Sequence, residues 1–173
     1  ATAITLVPTM AEETAHITML QRSPTYLMPL PSRDAVALGL QKVLPANVAY
    51  RLTRARNVSI ARLLFNRSRK NPKAMRRLFL AMVRRQLDGK VDMRHFSPSY
   101  NPWDQRLCVV KDGDLFESIK AGKASVETDH IERFTKNGIL LKSGKELEAD
   151  IIIPATGLDI QMLGGMDLVV DGQ

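Results

Sequence analysis

The sequence has a single cysteine, Cys108, among 173 residues. No internal disulfide can form, which fits a reducing, cytoplasmic setting. His16, His95 and His130 are scattered, and with one cysteine they make no metal-ligand spacing. No apolar run nears the ~20 residues that span a bilayer. The opening ATAITLVPTM lacks a basic leader region and a cleavage pattern, so no secretory leader is expected. It also lacks an initiating methionine, and the chain is expected to be a piece of a longer protein. Internal repeats and low-complexity tracts are missing too. What remains is a chain of ordinary globular composition, 45% apolar. Its length suits about one domain, with roughly 70% of the unfolded surface buried on folding.

Acidic residues are scarce in one block. Residues 26–94 hold 16 of the 25 Lys and Arg but only Asp34, Asp88 and Asp92, so the block carries +13 and the rest of the chain −6. The contrast marks residues 26–97 as a basic helical insertion. Three readings of it stay open: a solvated helical face, contact with an anionic membrane surface, and nucleic-acid binding. Against the last, no DNA-reading motif or interleaved aromatic pattern accompanies the cations.

The periodicity predicts a helix over residues 1–14, with Ile4, Leu6, Val7 and Met10 on one face and Pro8 inside it. A strand over 15–21 follows, and the two read as the second half of a β-α-β unit. Three helices are predicted over 34–88. Their candidate cores are Val36/Leu40/Val43/Leu44, Val58/Ala61/Leu64/Phe65 and Met75/Leu78/Phe79/Met82/Val83. Asn71 and Pro72 suit a helix start, and Gly89 a helix stop. After the SYNPWDQ loop, RLCVV reads as a strand and DGDLFESIKAGK as a helix begun by Asp112 or Asp114 and ended by Gly122. ASVETD is another strand. A run of strands follows, with turns at Asn137-Gly138 and Ser143-Gly144. Ile151 to Ile153 reads as a fully buried central strand.

The fold class is therefore α/β, an incomplete three-layer Rossmann-like domain with a helical insertion. In such domains the end of the second strand reads the adenosine ribose. An acid there suits the 2′-hydroxyl of NAD, whereas a cation suits the 2′-phosphate of NADP, which arginine can grip bidentately. Arg22 stands at that place, and Ser23 adds a hydroxyl. The plain alternative is an exposed arginine after a strand.

Taken together, ATAITLVP, MLQRSPTY, SYNPWDQRLCVV, DGDLFESI and ADIIIPATGLD resemble class B flavoprotein monooxygenases over essentially the whole chain. These are the Baeyer–Villiger and flavin-containing enzymes, with their mycobacterial members the nearest likeness. The resemblance implies FAD and NADPH as cofactors, with O2 and a small ketone or sulfide (or amine) as substrates. Oxygen transfer would proceed by way of a C4a-peroxyflavin. It makes Ala1 and Thr2 the continuation of a G-x-G-A-T-A nucleotide turn, and Arg22 the 2′-phosphate cation supported by Ser23. Gln105-Arg106 stands where many Baeyer–Villiger enzymes carry Lys-Arg. Arg106 would be the catalytic, flavin-facing cation, its plain alternative being an ion pair with Asp104. Gln105 would touch the 2′-phosphate without charge, which weakens the preference for NADPH. Ala155, Thr156 and Gly157 match the motif that ends a central strand of the nicotinamide domain.

The implied layout is a NADPH-binding domain at 1–25 and 98–157, the insertion between, and a return toward the flavin domain at 158–173. Tyr100 and Trp103 either line a pocket or pack under the loop. The isolated piece is expected to be inactive, with exposed strand edges that favour association into oligomers. Two other classes stay open. One is a pyridine-nucleotide disulfide reductase, which needs a cysteine pair. The other is a non-catalytic basic module that binds a polyanion.

Overall fold

The computed structural model describes residues 2–89, 91–157, 161–167 and 169–171. In chain order the elements are α1 (Thr2–Met10), β1 (Ile17–Gln21), β2 (Tyr26–Leu30), α2 (Ala35–Val43), α3 (Ala46–Lys70) and α4 (Pro72–Gln86). A 3-10 turn at Met93–Phe96 leads to β3 (Leu107–Lys111), α5 (Asp114–Lys120) and β4 (Ala124–Thr128). Then come β5 (Ile131–Phe134), β6 (Gly138–Leu141), β7 (Glu146–Glu148) and a 3-10 turn at Met162–Gly165.

Two parallel pairs and a small antiparallel meander make up the sheet structure. β1 lies beside β4 with Ile17 opposite Ala124, and β2 lies beside β3 with Tyr26 opposite Leu107. β5, β6 and β7 form the meander. Parallel strands are buried under helices, and α1 and α5 provide that cover: Ile4, Val7, Leu115, Phe116 and Ile119 join Met19, Val110 and Val126 in one core. Val83, Leu87 and Phe96 close that core from α4 and the 3-10 turn. Pro8 is accommodated inside α1, which ends at Met10 rather than residue 14.

The three helices of the basic block form as expected, but their packing is uneven. Asn71 accepts from the Ala74 amide at the start of α4, and Gly89 at φ 68° returns its amide to the Arg84 carbonyl. Met75, Phe79 and Val83 of α4 are buried, while Leu78 is exposed. The predicted core of α2 is not a core: no residue of that helix is buried, and Val43 is 76% exposed. α3 buries only Ala49 and Ser68, leaving Val58 and Phe65 exposed. Of the predicted α3 stripe, Leu64 packs against the Tyr26, Met75 and Phe79 cluster and Phe65 meets Trp103, whereas Val58, like Val36 and Val43 of α2, stays exposed.

Three further differences follow from pairing. The charge boundary at residue 26 is not the structural one, because Tyr26–Leu30 is a strand of the second parallel pair. Ile151 to Ile153 are exposed and in no strand, because no described strand lies alongside to bury them. α5 begins at Asp114, one of the two expected residues, but its cap position is Gly113 in the left-handed region, with no side-chain cap, and Asp112 instead accepts from the Ser32 amide at 2.8 Å.

Candidate functional site

β1 carries the chain to Gln21, and the next four residues turn it into β2. Arg22 and Ser23 are exposed in that turn. Thr25 Oγ1 donates to the Arg106 carbonyl at 3.0 Å, and the Tyr100 hydroxyl donates to the same oxygen at 2.9 Å. Leu107, the next residue, sits opposite Tyr26. Arg22-Ser23 and Gln105-Arg106 thus flank a single joint, where β1 ends and the β2–β3 pair begins. Gln105 and Arg106 are exposed too, and among the described residues neither Arg22 nor Arg106 has an ion-pair partner. The ion pair between Arg106 and Asp104 does not form, since Asp104 binds Arg69 at 2.6 Å.

The loop ahead of Arg106 is held from behind. Trp103 adopts φ 71°, a left-handed conformation that is strained for a bulky residue. Its indole donates to the buried Ser68 hydroxyl at 3.1 Å, and its ring meets Phe65 edge-on at 5.8 Å. The Tyr26 hydroxyl donates to the Tyr100 carbonyl at 2.7 Å. Arg76 on α4 donates to the Tyr26 hydroxyl at 3.0 Å and also to the Pro98 carbonyl. Tyr100 stacks edge-to-face on Tyr26 at 5.4 Å. Both aromatic residues of the loop therefore spend their polar atoms and faces on packing. Burial pushes the Tyr26 phenol up, and the hydrogen bond and charge of Arg76 pull it partly back.

Below Arg22 lies a polar cluster that the sequence reading passed over. Gln21 Nε2 donates to the His95 carbonyl at 2.7 Å and to Thr128 Oγ1 at 2.9 Å. Thr128 is the register partner of Gln21. His95 Nδ1 is 2.8 Å from Thr128 Oγ1, while its Nε2 accepts from Arg94 Nε at 3.3 Å. An accepting Nε2 leaves the proton on Nδ1, so the ring is neutral. Burial, and then the neighbouring Arg94 charge, hold His95 below its ordinary value. This cluster pins the 3-10 turn to the carboxyl ends of β1 and β4. The contacts join residues far apart in the chain, so no local motif announced them.

The remaining predicted residues are less concentrated. Ala1 lies outside the described residues. Thr2 begins α1, which runs down to the start of β1 and packs on it. A helix so connected is antiparallel to its strand, so its first amides lie at the end where Arg22 emerges. Ala155, Thr156 and Gly157 are exposed, and among the described residues no hydrogen bond or ion pair ties them to Arg22 or Arg106. Cys108 is half-buried in β3. No cluster of three His, Cys, Asp or Glu among the described residues could hold a metal. A surface hollow of about 610 Å³ on α4, at Arg77, Leu80, Arg84 and Arg85, includes none of the predicted site residues.

No protein-family model and no solved structure matches the chain. Curated proteins do. The chain is 60% identical over its whole length to the probable FAD-binding monooxygenase AlmA of Acinetobacter baylyi. It is 56% identical over 99% of its length to the putative FAD-containing monooxygenase MymA of Mycobacterium tuberculosis. It is 53% identical over its whole length to the FAD-containing monooxygenase EthA of the same organism. It spans about a third of each, 35% of the first and 36% of the other two.

Proposed function

We propose that this chain, which belongs with the FAD-containing monooxygenases it matches, supplies the NADPH-binding surface of such an enzyme. The observation that carries the reading is the joint between β1 and β2–β3, where two arginines stand exposed with no acid partner among the described residues. An exposed guanidinium at the carboxyl end of a parallel strand suits a phosphate, and Ser23 beside it can donate a further hydrogen bond. The donor set fits the 2′-phosphate of NADPH. Arg22 would pair with it, Ser23 and Gln105 would donate to it, and the first turn of α1 would face the pyrophosphate.

FAD fits these residues less well. The sequence has no G-x-G-x-x-G turn, so the flavin would be held by other parts of the enzyme. Bound there, the flavin would supply the redox chemistry with O2, placing one oxygen atom in a ketone or sulfide and the other in water. Arg106 would present its charge toward that site and stabilise developing negative charge. The Thr25–Tyr100 clamp on its carbonyl fixes the backbone from which the side chain reaches out.

The test is Arg22→Ala in the full-length enzyme, assayed with both nicotinamide cofactors. Loss of a charge-assisted contact should raise KM for NADPH by about 10–100-fold, with KM for NADH unchanged. An equal change for both cofactors would overturn the assignment. In Arg106→Ala, NADPH should still be consumed, but hydrogen peroxide should replace oxygenated product. Unchanged coupling would remove Arg106 from the chemistry.

A further inference from the structure

The last turns of α3 reach the loop that carries Arg106. Phe65, Ser68 and Arg69 stand three and four residues apart, on one face of the helix. Phe65 meets the Trp103 ring, Ser68 accepts from its indole, and Arg69 Nη1 lies 2.6 Å from Asp104 Oδ1. All three contacts fall on two adjacent residues. A strained residue persists only where its surroundings over-determine it, and Phe65 and Ser68 give Trp103, at φ 71°, that support. The turn is closed by the Asp104 amide, which donates to the Asn101 carbonyl at 3.1 Å. Asp104 is the only acid in residues 22–25 and 97–106, the two segments that form the joint. It stands two residues before Arg106, within reach of that side chain. The Arg69 and Asp104 side chains are 55% and 38% exposed, so their pair adds little to stability. Its effect is to decide which arginine the carboxylate serves. A counter-ion on Arg106 would cancel the charge that this residue offers to a developing anion.

We propose that Arg69 is a positioning residue, which engages Asp104 on α3 and so keeps the Arg106 guanidinium free of a counter-charge. The basic block thereby takes part in the site, although none of its helices carries a predicted site residue. The consequence for oxygen transfer rests on the role proposed above for Arg106; the sequestration of Asp104 does not.

Two substitutions break the same ion pair and separate this role from that of a structural bridge. Arg69→Met leaves the Asp104 carboxylate free, whereas Asp104→Asn removes it. The first readout is phenylglyoxal modification of Arg106 in the full-length protein, followed by peptide mass spectrometry without turnover. In Arg69→Met the Arg106 rate should fall, by up to about fivefold for an exposed pair. In Asp104→Asn it should keep the wild-type value, and in Arg69→Met/Asp104→Asn it should return to that value. The second readout is oxygenated product formed per NADPH consumed, a ratio that the amount of folded enzyme does not alter. Of the single variants only Arg69→Met should lower it, and the double variant should restore it. An Arg106 rate unchanged in Arg69→Met would overturn the proposal. So would equal effects of the two single substitutions on either readout, which mean an ordinary structural bridge. If the rates behave as expected while Arg106→Ala keeps its coupling, the sequestration stands and the role of Arg106 in the chemistry falls.

Discussion

Replacing Arg76 with methionine keeps the length of the side chain and removes its charge and its donors. In the native protein this guanidinium ties three segments together: the Tyr26 hydroxyl on β2 at 3.0 Å, the Pro98 carbonyl, and the Tyr100 carbonyl at a longer 3.4 Å. The Tyr26 hydroxyl keeps its bond to the Tyr100 carbonyl in the variant, so it loses only an incoming donor. The Pro98 carbonyl, in a fully buried residue, loses its charged donor outright. A hydrogen bond from a charged group contributes about 1.5–3 kcal/mol, and an abandoned buried acceptor costs about 1–3 kcal/mol. These are two views of one loss, so about 3 kcal/mol is the working figure. For a chain of this size, with ~2–4 °C per kcal/mol, the midpoint of thermal unfolding should fall by about 6–12 °C. Circular dichroism measures it. Hydrogen exchange should show the accompanying local effect, faster exchange across residues 98–106, with α5 and β4 little changed. A midpoint within a degree of wild type would refute the strap, and would mean that aromatic packing alone holds the loop that carries Arg106.

Other expectations rest on single groups. His95 is held below the ordinary value of 6.5, so just below that pH the unfolded chain binds more protons than the folded one. Stability is then complete above about pH 6.5 and declines as pH drops further; His95→Gln should flatten that slope in urea titrations across pH 5 to 7. Gly138 has φ 157°, and a Cβ there would overlap the Leu147 carbonyl on β7. Gly138→Ala should therefore cost more than ~1 kcal/mol in urea denaturation. Gly144→Ala should cost less, because that turn at φ 86° has open space around it; equal losses would contradict the steric argument.

Residues with a partner nearby in sequence, or with strong periodicity, were readable. α4 shows its Met75, Phe79 and Val83 face in the spacing, and its Asn71-Pro72 start in the residue types. The exposed position of Arg22 directly after β1 was legible because a strand followed at once by a cation is a local pattern. β2 was hidden by the basic residues beyond it and by Pro29. The proline is tolerated because β2 pairs only with β3 among the described strands, so the side without an N–H can face the open edge. Ile151 to Ile153 misled for the converse reason. Three isoleucines read as buried, but burial is a property of neighbours, and the described residues give them none. The Thr25–Tyr100–Arg106 clamp and the Gln21–Thr128–His95 cluster depend on strand register, which spacing alone does not disclose.

The parallel pairing of β2 with β3 across the whole helical block bears on how the chain comes together. A crossover stretched from Leu30 to Leu107 is roughly three doublings beyond a minimal one of about a dozen residues, each doubling costing only ~0.6 kcal/mol of closure entropy. The real charge is smaller, since α3 and α4 contact each other and shorten the path once formed. Their contacts are local and belong to the fast class, whereas the β2–β3 and β1–β4 ladders need distant segments to meet. During synthesis the helical block would be complete before β3 and β4 exist. β1 and β2 would wait unpaired until their partners emerge, and that interval is when the chain is most exposed to misassociation.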